Sequence, residues 1–102
     1  MMDVRWLVEN LAEFDHVETI YKYRILSQKR GGRIYNYNEY LIHSPPGNYN
    51  AVLVFKVGDD YQLISTNITV YSRGTARYFS FTPHNDNKRL VLVLLKSAEK
   101  KT

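Results

Sequence analysis

The sequence predicts an α+β domain: one N-terminal helix, then about six mainly antiparallel strands arranged as two related three-stranded units. Three observations predict this. The apolar residues recur at helical spacing near the N-terminus and change to a period of two after Asp15-His16. Turns containing glycine or proline then divide the chain into short runs rich in β-branched and aromatic residues. Finally, Arg30-Gly31-Gly32-Arg33-Ile34-Tyr35-Asn36-Tyr37 returns in degenerate form as Arg73-Gly74-Thr75-Ala76-Arg77-Tyr78-Phe79-Ser80-Phe81.

The helix is expected over 4–14. Asp3 stands where it can cap, and Val4, Leu7, Val8, Leu11 and Phe14 fall on one face. Trp6 lies about 200° around from Val4 at about 100° per residue, off that stripe. An indole is large enough to pack around a helix edge, so Trp6 is assigned to ordinary packing. The first strand covers 17–26 and the second 33–43, with a glycine turn between them. Tandem prolines make 44–48 a loop, because each removes a backbone donor and biases its predecessor to extended geometry. Residues 50–57 are apolar on both faces, which marks a central strand. Gly58-Asp59-Asp60 suits a hairpin turn. Residues 61–72 alternate as one long strand, with a short helical turn at 60–65 as the competing assignment. An aromatic strand at 77–82, a polar loop at 83–88 and the strongly apolar run 89–96 complete the chain.

The halves 17–57 and 61–97 match as events in one order: arginine-glycine turn, aromatic strand, hydroxyl-proline pair, Val-Leu-Val strand. The offset is 43 residues at Arg30/Arg73, 44 at Arg33/Arg77, 38 at Pro45/Pro83 and 39 at Val52/Val91. Superposing the arginines sets Tyr35 and Tyr37 on Phe79 and Phe81. This predicts that these rings pack inward while Asn36, Asn38, Tyr40 and Ser80 face out.

A chain of 102 residues is one domain, expected over 1–97 with 98–102 as a flexible basic tail. Folding such a chain buries roughly two-thirds of its unfolded surface, enough for one core. The absence of cysteine excludes disulfides, thiolate metal sites and a cysteine nucleophile. Asp3, Glu9 and Glu13 interrupt any signal-peptide core, and the apolar run 90–95 is too short to cross a bilayer, so a cytoplasmic location is expected. The formal charge is +4, and three lysines against one glutamate in 96–101 supply +2 of it.

Enzyme chemistry needs a nucleophile with a base, a carboxylate pair or a metal set. His16, His43 and His84 stand apart beside turns, Asp59-Asp60 suits turn chemistry, and Asn85-Asp86-Asn87 lacks the spacing of a calcium loop. Gly31-Gly32 precedes a strand and not a helix, so it is no phosphate loop. The expectation is a non-catalytic protein without cofactor, metal, membrane or small-molecule substrate.

Two binding functions remain. Edge strands and the seam between two β units suit an extended peptide, or a second copy of the chain, with Asn36, Asn38, Tyr40 and Tyr49 lining the groove. Alternatively, Arg30, Arg33, Arg73 and Arg77, with Lys29, cluster beside tyrosines and grip nucleic acid, if both arginine turns lie at one end of the sheet.

The cysteine-free chain is tyrosine-heavy, with nine tyrosines and strands such as Tyr21-Lys22-Tyr23 and Tyr35-Asn36-Tyr37. In this it is similar to the small proteins of filamentous, lipothrixvirus-like viruses of hyperthermophilic archaea. That resemblance implies expression in the host cytoplasm and a role in virion or host interaction. It transfers no site residues.

Overall fold

The structure is a computed structural model that describes residues 3–83 and 87–98. His84, Asn85, Asp86 and the tail from Glu99 lie outside the described residues. The short helix α1, Val4–Asn10, is capped by the Asp3 side chain, which accepts from the Trp6 amide at 3.0 Å. Seven strands follow: β1 (His16–Thr19), β2 (Tyr23–Arg30), β3 (Arg33–Leu41), β4 (Gly47–Val57), β5 (Asp60–Arg73), β6 (Ala76–Phe81) and β7 (Lys88–Ser97). They form one antiparallel sheet in the order β1-β7-β4-β5-β6-β3-β2.

Several boundaries differ from expectation: β3 ends at Leu41, and Gly47 and Asn48, expected in the loop, open β4. The helix ends early, giving way to a 3-10 turn at Leu11–Glu13. The first expected strand divides at 20–22 into β1 and β2, which pair with opposite ends of the sheet, so the described residues form seven strands. Residues 61–72 form one long strand as expected, and the competing helical turn at 60–65 does not form. That segment belongs to the 14-residue β5, which pairs with β4 through Val70 and with β6 from Tyr71.

The sheet folds over on itself. Phe55 sits opposite Gln62 of β5, and the β5–β6 register places Phe81 level with Ile68. Six residues along β5 would separate the rings by about 20 Å in a flat sheet. Their centroids are 5.7 Å apart. The enclosed core draws on β3 through Tyr40, on β4 through Leu53 and Phe55, on β6 through Phe79, and on β7 through Leu90 and Val93. A register shift between β4 and β7 at Val54/Phe55 lets Leu90 join Val93 and Leu95 on the inner face.

The outer faces of β4 and β7 are apolar as well. Val52, Val54 and Leu94 are buried there beneath Leu7, with Trp6 and Phe14 packed against them. Trp6 therefore packs, as expected, meeting Phe14 edge-on at 6.3 Å. The helix is rotated from its predicted orientation, because the indole takes the inner side and leaves Val8 71% exposed. With a helix over one face and the core under the other, β4 is central and two-sided as its sequence implies.

In β3 the predicted facing is reversed. Tyr40 points inward, 2% exposed and stacked on Phe79 at 5.2 Å, while Tyr35 lies on the outer face, 49% exposed. Asn36 and Asn38 share the inner face with Tyr40 and Tyr37 shares the outer face with Tyr35, whereas Ser80 is exposed as expected. The two turns explain the error. Gly31-Gly32 closes the pair Arg30↔Arg33, and Gly74-Thr75 closes Arg73↔Ala76. Arg33 thus corresponds to Ala76 and not to Arg77, and a slip of one residue moves every side chain to the other face.

Candidate functional site

β3 pairs with β6 only from Asn38 to Leu41, so 33–37 runs on with β2 as a two-stranded ribbon. In a two-residue hairpin the closing pair exchanges both backbone bonds, and bonded pairs then alternate. The amides and carbonyls of Ile34 and Asn36 therefore face away from β2, along an edge that no strand among the described residues covers. Both faces of this edge open into hollows. The outer one, of about 590 Å³, lies between Gln28, Arg30, Tyr35 and Tyr37 of the ribbon and Tyr71, Arg73 and Ser80 of the other half-chain. The inner one, of about 320 Å³, is lined by Tyr23, Ile25, Asn38, Pro83 and Lys88. Asn36 borders both.

Glu39 forms the floor of the outer hollow. The β3 register sets it opposite Arg24 on one side and Ser80 on the other. Arg24 Nε donates to Oε1 at 2.9 Å, Arg73 donates to Oε1 at 3.1 Å and to Oε2 at 2.7 Å, and the Tyr71 hydroxyl donates to Oε2. Both guanidinium groups lie over the Tyr78 ring, at 5.7 and 5.3 Å from its centroid. Burial alone would push the Glu39 carboxyl up. The bonds from Arg73, Tyr71 and Arg24 outweigh it and hold the pKa at about 2. Burial and the bond to Glu39 raise the Tyr71 hydroxyl.

The Glu39 side chain is fully covered while those of Arg24 and Arg73 remain 53% and 52% exposed. One anchored carboxylate thus aims two guanidinium groups outward, with N–H donors left for a ligand. Glu39 was missed from the sequence, although it is the sole acidic residue between Glu18 and Asp59.

No protein-family model, curated protein or solved structure matches this chain. The site therefore stands on its own geometry.

Of the expected groove residues, Asn36 and Asn38 reach the hollows. Tyr40 and Tyr49 do not. Tyr40 lies in the core and its hydroxyl, raised by burial, accepts from Asn38 at 3.0 Å. Tyr49 is 7% exposed and donates to the Pro45 carbonyl.

The expected arginine cluster does not form as drawn. β3 and β6 are antiparallel, which sends the Gly31-Gly32 turn and the Gly74-Thr75 turn to opposite ends of the pair. Arg30 and Arg33 face each other at the ribbon tip, near Lys29. Arg73 reaches back to Glu39 at the hollow, and Arg77 donates to the His43 carbonyl at 2.9 Å, bordering a different depression.

The histidines also differ from expectation, since His16 and His43 are joined through Glu18. His16 Nε2 and His43 Nδ1 each lie 2.7 Å from a Glu18 oxygen, and the His43 amide donates to the same carboxylate at 2.9 Å. Burial pushes the Glu18 carboxyl up, but these bonds hold it below its ordinary value. Among the described residues no group of three or more such side chains could hold a metal ion. No described helix is long and apolar enough to cross a membrane.

Proposed function

We propose that this protein is a non-catalytic interaction module that takes an extended protein segment along the open edge of β3, in the groove between the β2–β3 ribbon and the β5–β6 half. The single observation behind this is that the edge carrying Ile34 and Asn36 has a hollow on each face. A strand added there bonds to the backbone and sends alternate side chains into the two hollows. The partner segment is acidic, because residues 19–38 carry Lys22, Arg24, Lys29, Arg30 and Arg33 and no acidic side chain. The same bias disfavours two β2 edges pairing with each other, since antiparallel register about their centre sets Arg24 against Lys29.

The strand pattern supports an internal duplication behind this groove. β1 with β2 pairs as β5 does, first with the last strand of the other half and then with its own hairpin partner. β3 and β6 pair together, as do β4 and β7. The resemblance to archaeal virus proteins supports a virion or host protein as the partner.

The test is fluorescence anisotropy with labelled extended peptides. Acidic sequences bind and basic ones do not. Asn36→Pro, which removes an edge donor, weakens binding tenfold or more, while Asn36→Ala leaves it nearly unchanged. Equal binding by Asn36→Pro and wild type contradicts the proposal.

A second reading is favoured by Tyr35, Tyr37, Arg30 and Arg73 bordering one hollow: single-stranded nucleic acid stacking on the rings with phosphates at the arginines. It predicts oligonucleotide affinity that falls steeply with salt and with Arg30→Gln and Arg33→Gln, and is indifferent to Asn36→Pro.

A further inference from the structure

The sheet has a further open edge, on β5. This strand pairs with β4 from Asp60 to Val70 and with β6 only from Tyr71, so the free side of 61–69 bonds to no strand or loop among the described residues. The turn Gly58-Asp59 closes the pair Val57↔Asp60, and bonded pairs alternate from there. Gln62, Ile64, Thr66 and Ile68 therefore bond to β4, while the amides and carbonyls of Tyr61, Leu63, Ser65, Asn67 and Thr69 point away from it.

Folded proteins protect such edges with lysine, proline, a bulge or short length. β1 has only four residues, and β2 carries Arg24, Lys29 and Arg30. β5 has none of these devices. Residues 61–72 contain no charged side chain and no proline, and the β4–β5 register runs without a shift. The charges beside this edge collect at its turn end, where Lys56 stands across from Tyr61, and Asp3, Arg5, Asp59 and Asp60 share a hollow with that ring. Leu63 packs against the cluster under α1 and Ile64 against the enclosed core, yet both stay half-buried.

The strand that fits this edge is the edge itself. An antiparallel two-fold about Ile64 pairs Tyr61 with Asn67 and Leu63 with Ser65, so every outward backbone group from 61 to 67 gains a partner. Ile64 then meets Ile64 on the inner side. Asp60 falls opposite Ile68, which keeps the two Asp60 residues about 27 Å apart at about 3.4 Å per residue. No like charges face each other, the overlap stops short of β6, and the contact closes after two copies.

We propose that two copies of this chain pair β5 to β5 across this two-fold, joining their sheets into one. The contact is separate from the peptide groove, because none of the residues 61–67 lines either of its hollows. It contains no ion pair, so it holds as salt is raised.

Sedimentation equilibrium of the full chain, with residue-resolved amide exchange, tests this. Wild type is a dimer at low and high salt alike and dissociates on dilution. Its Leu63 and Ser65 amides exchange slowly in the dimer and fast once diluted. Ser65→Lys alters an exposed position, keeps the native circular dichroism spectrum and weakens the dimer tenfold or more. Ser65→Pro, which removes an outward amide and no bond to β4, does the same, and Ser65→Lys decides alone if the proline variant misfolds. Asn36→Pro, which blocks the peptide groove, leaves the dimer intact. Wild type that is monomeric at every concentration, a dimer whose Leu63 and Ser65 amides exchange fast, a Ser65→Lys dimer as tight as wild type, or a dimer lost with Asn36→Pro overturns the proposal.

Discussion

β4 and the β2–β3 ribbon are built from similar residue types and have opposite fates. Both are rich in aromatic and branched apolar side chains. β4 lies between β5 and β7, with α1 on one face and the core on the other, and Leu53 and Phe55 are fully buried. Among the described residues β2 has one neighbour and β3 loses its second beyond Asn38, and Ile25 and Ile34 stand in solvent. Strand propensity reports how well a residue suits a half-buried pleat. Its position in the sheet decides whether anything covers it. Surface that β4 uses to hold the fold together, the ribbon leaves available to a partner.

The sharpest way to break this comparison is to truncate both regions. Phe55→Ala should cost about 3–5 kcal/mol of unfolding free energy, since it opens a cavity beside Phe81 in the closed core. Ile34→Ala should change it by no more than about 0.5 kcal/mol. Urea titration measures both, and comparable losses would show that the ribbon is packed.

Glu39 ties the ribbon to the rest of the sheet, and Glu39→Gln should cost about 2 kcal/mol by leaving Arg24 and Arg73 without their anchor. The effect carries a pH signature. The folded carboxyl titrates at about 2 against an ordinary 4.5. Its stabilisation is therefore complete above about pH 4.5 and is lost as the pH falls through about 2. Wild type and Glu39→Gln should differ at neutral pH and converge in acid, as followed by melting temperature.

Glu18→Gln should cost about 1 kcal/mol, because the amide keeps the shape but weakens the bonds to His16 and His43. Gly31→Ala should act on the ribbon tip alone. Gly31 adopts φ +54° with nothing near a Cβ, so the cost of about 1 kcal/mol or less is conformational and confined to the tip. It should speed ribbon amide exchange without moving the global urea midpoint.

Much of the sheet was legible from the residues. The apolar runs of β4 and β7 mark strands buried on two sides, and the glycines mark the hairpin turns. The facing of β3 was not, because two arginines one residue out of register looked equivalent. A sequence superposition cannot see which pair closes a turn, and with a period of two that single residue exchanged Tyr35 for Tyr40 in the core. Glu39 left a visible mark as a lone acid amid basic and aromatic neighbours. What it binds depends on cross-strand register, as with Glu18 and His43, which meet across 25 residues of sequence. The helix was misread in orientation for a simpler reason: a large indole displaced the smaller valines from the sheet.

The most direct test of the open β3 edge is residue-resolved amide hydrogen exchange at Ile34 and Asn36, before and after adding an acidic extended peptide. Both amides should exchange fast in the free protein, far faster than Leu53, and slow markedly when peptide is bound. Protection equal to that of Leu53 in the free protein, or exchange at Ile34 and Asn36 that bound peptide leaves unchanged, would contradict it.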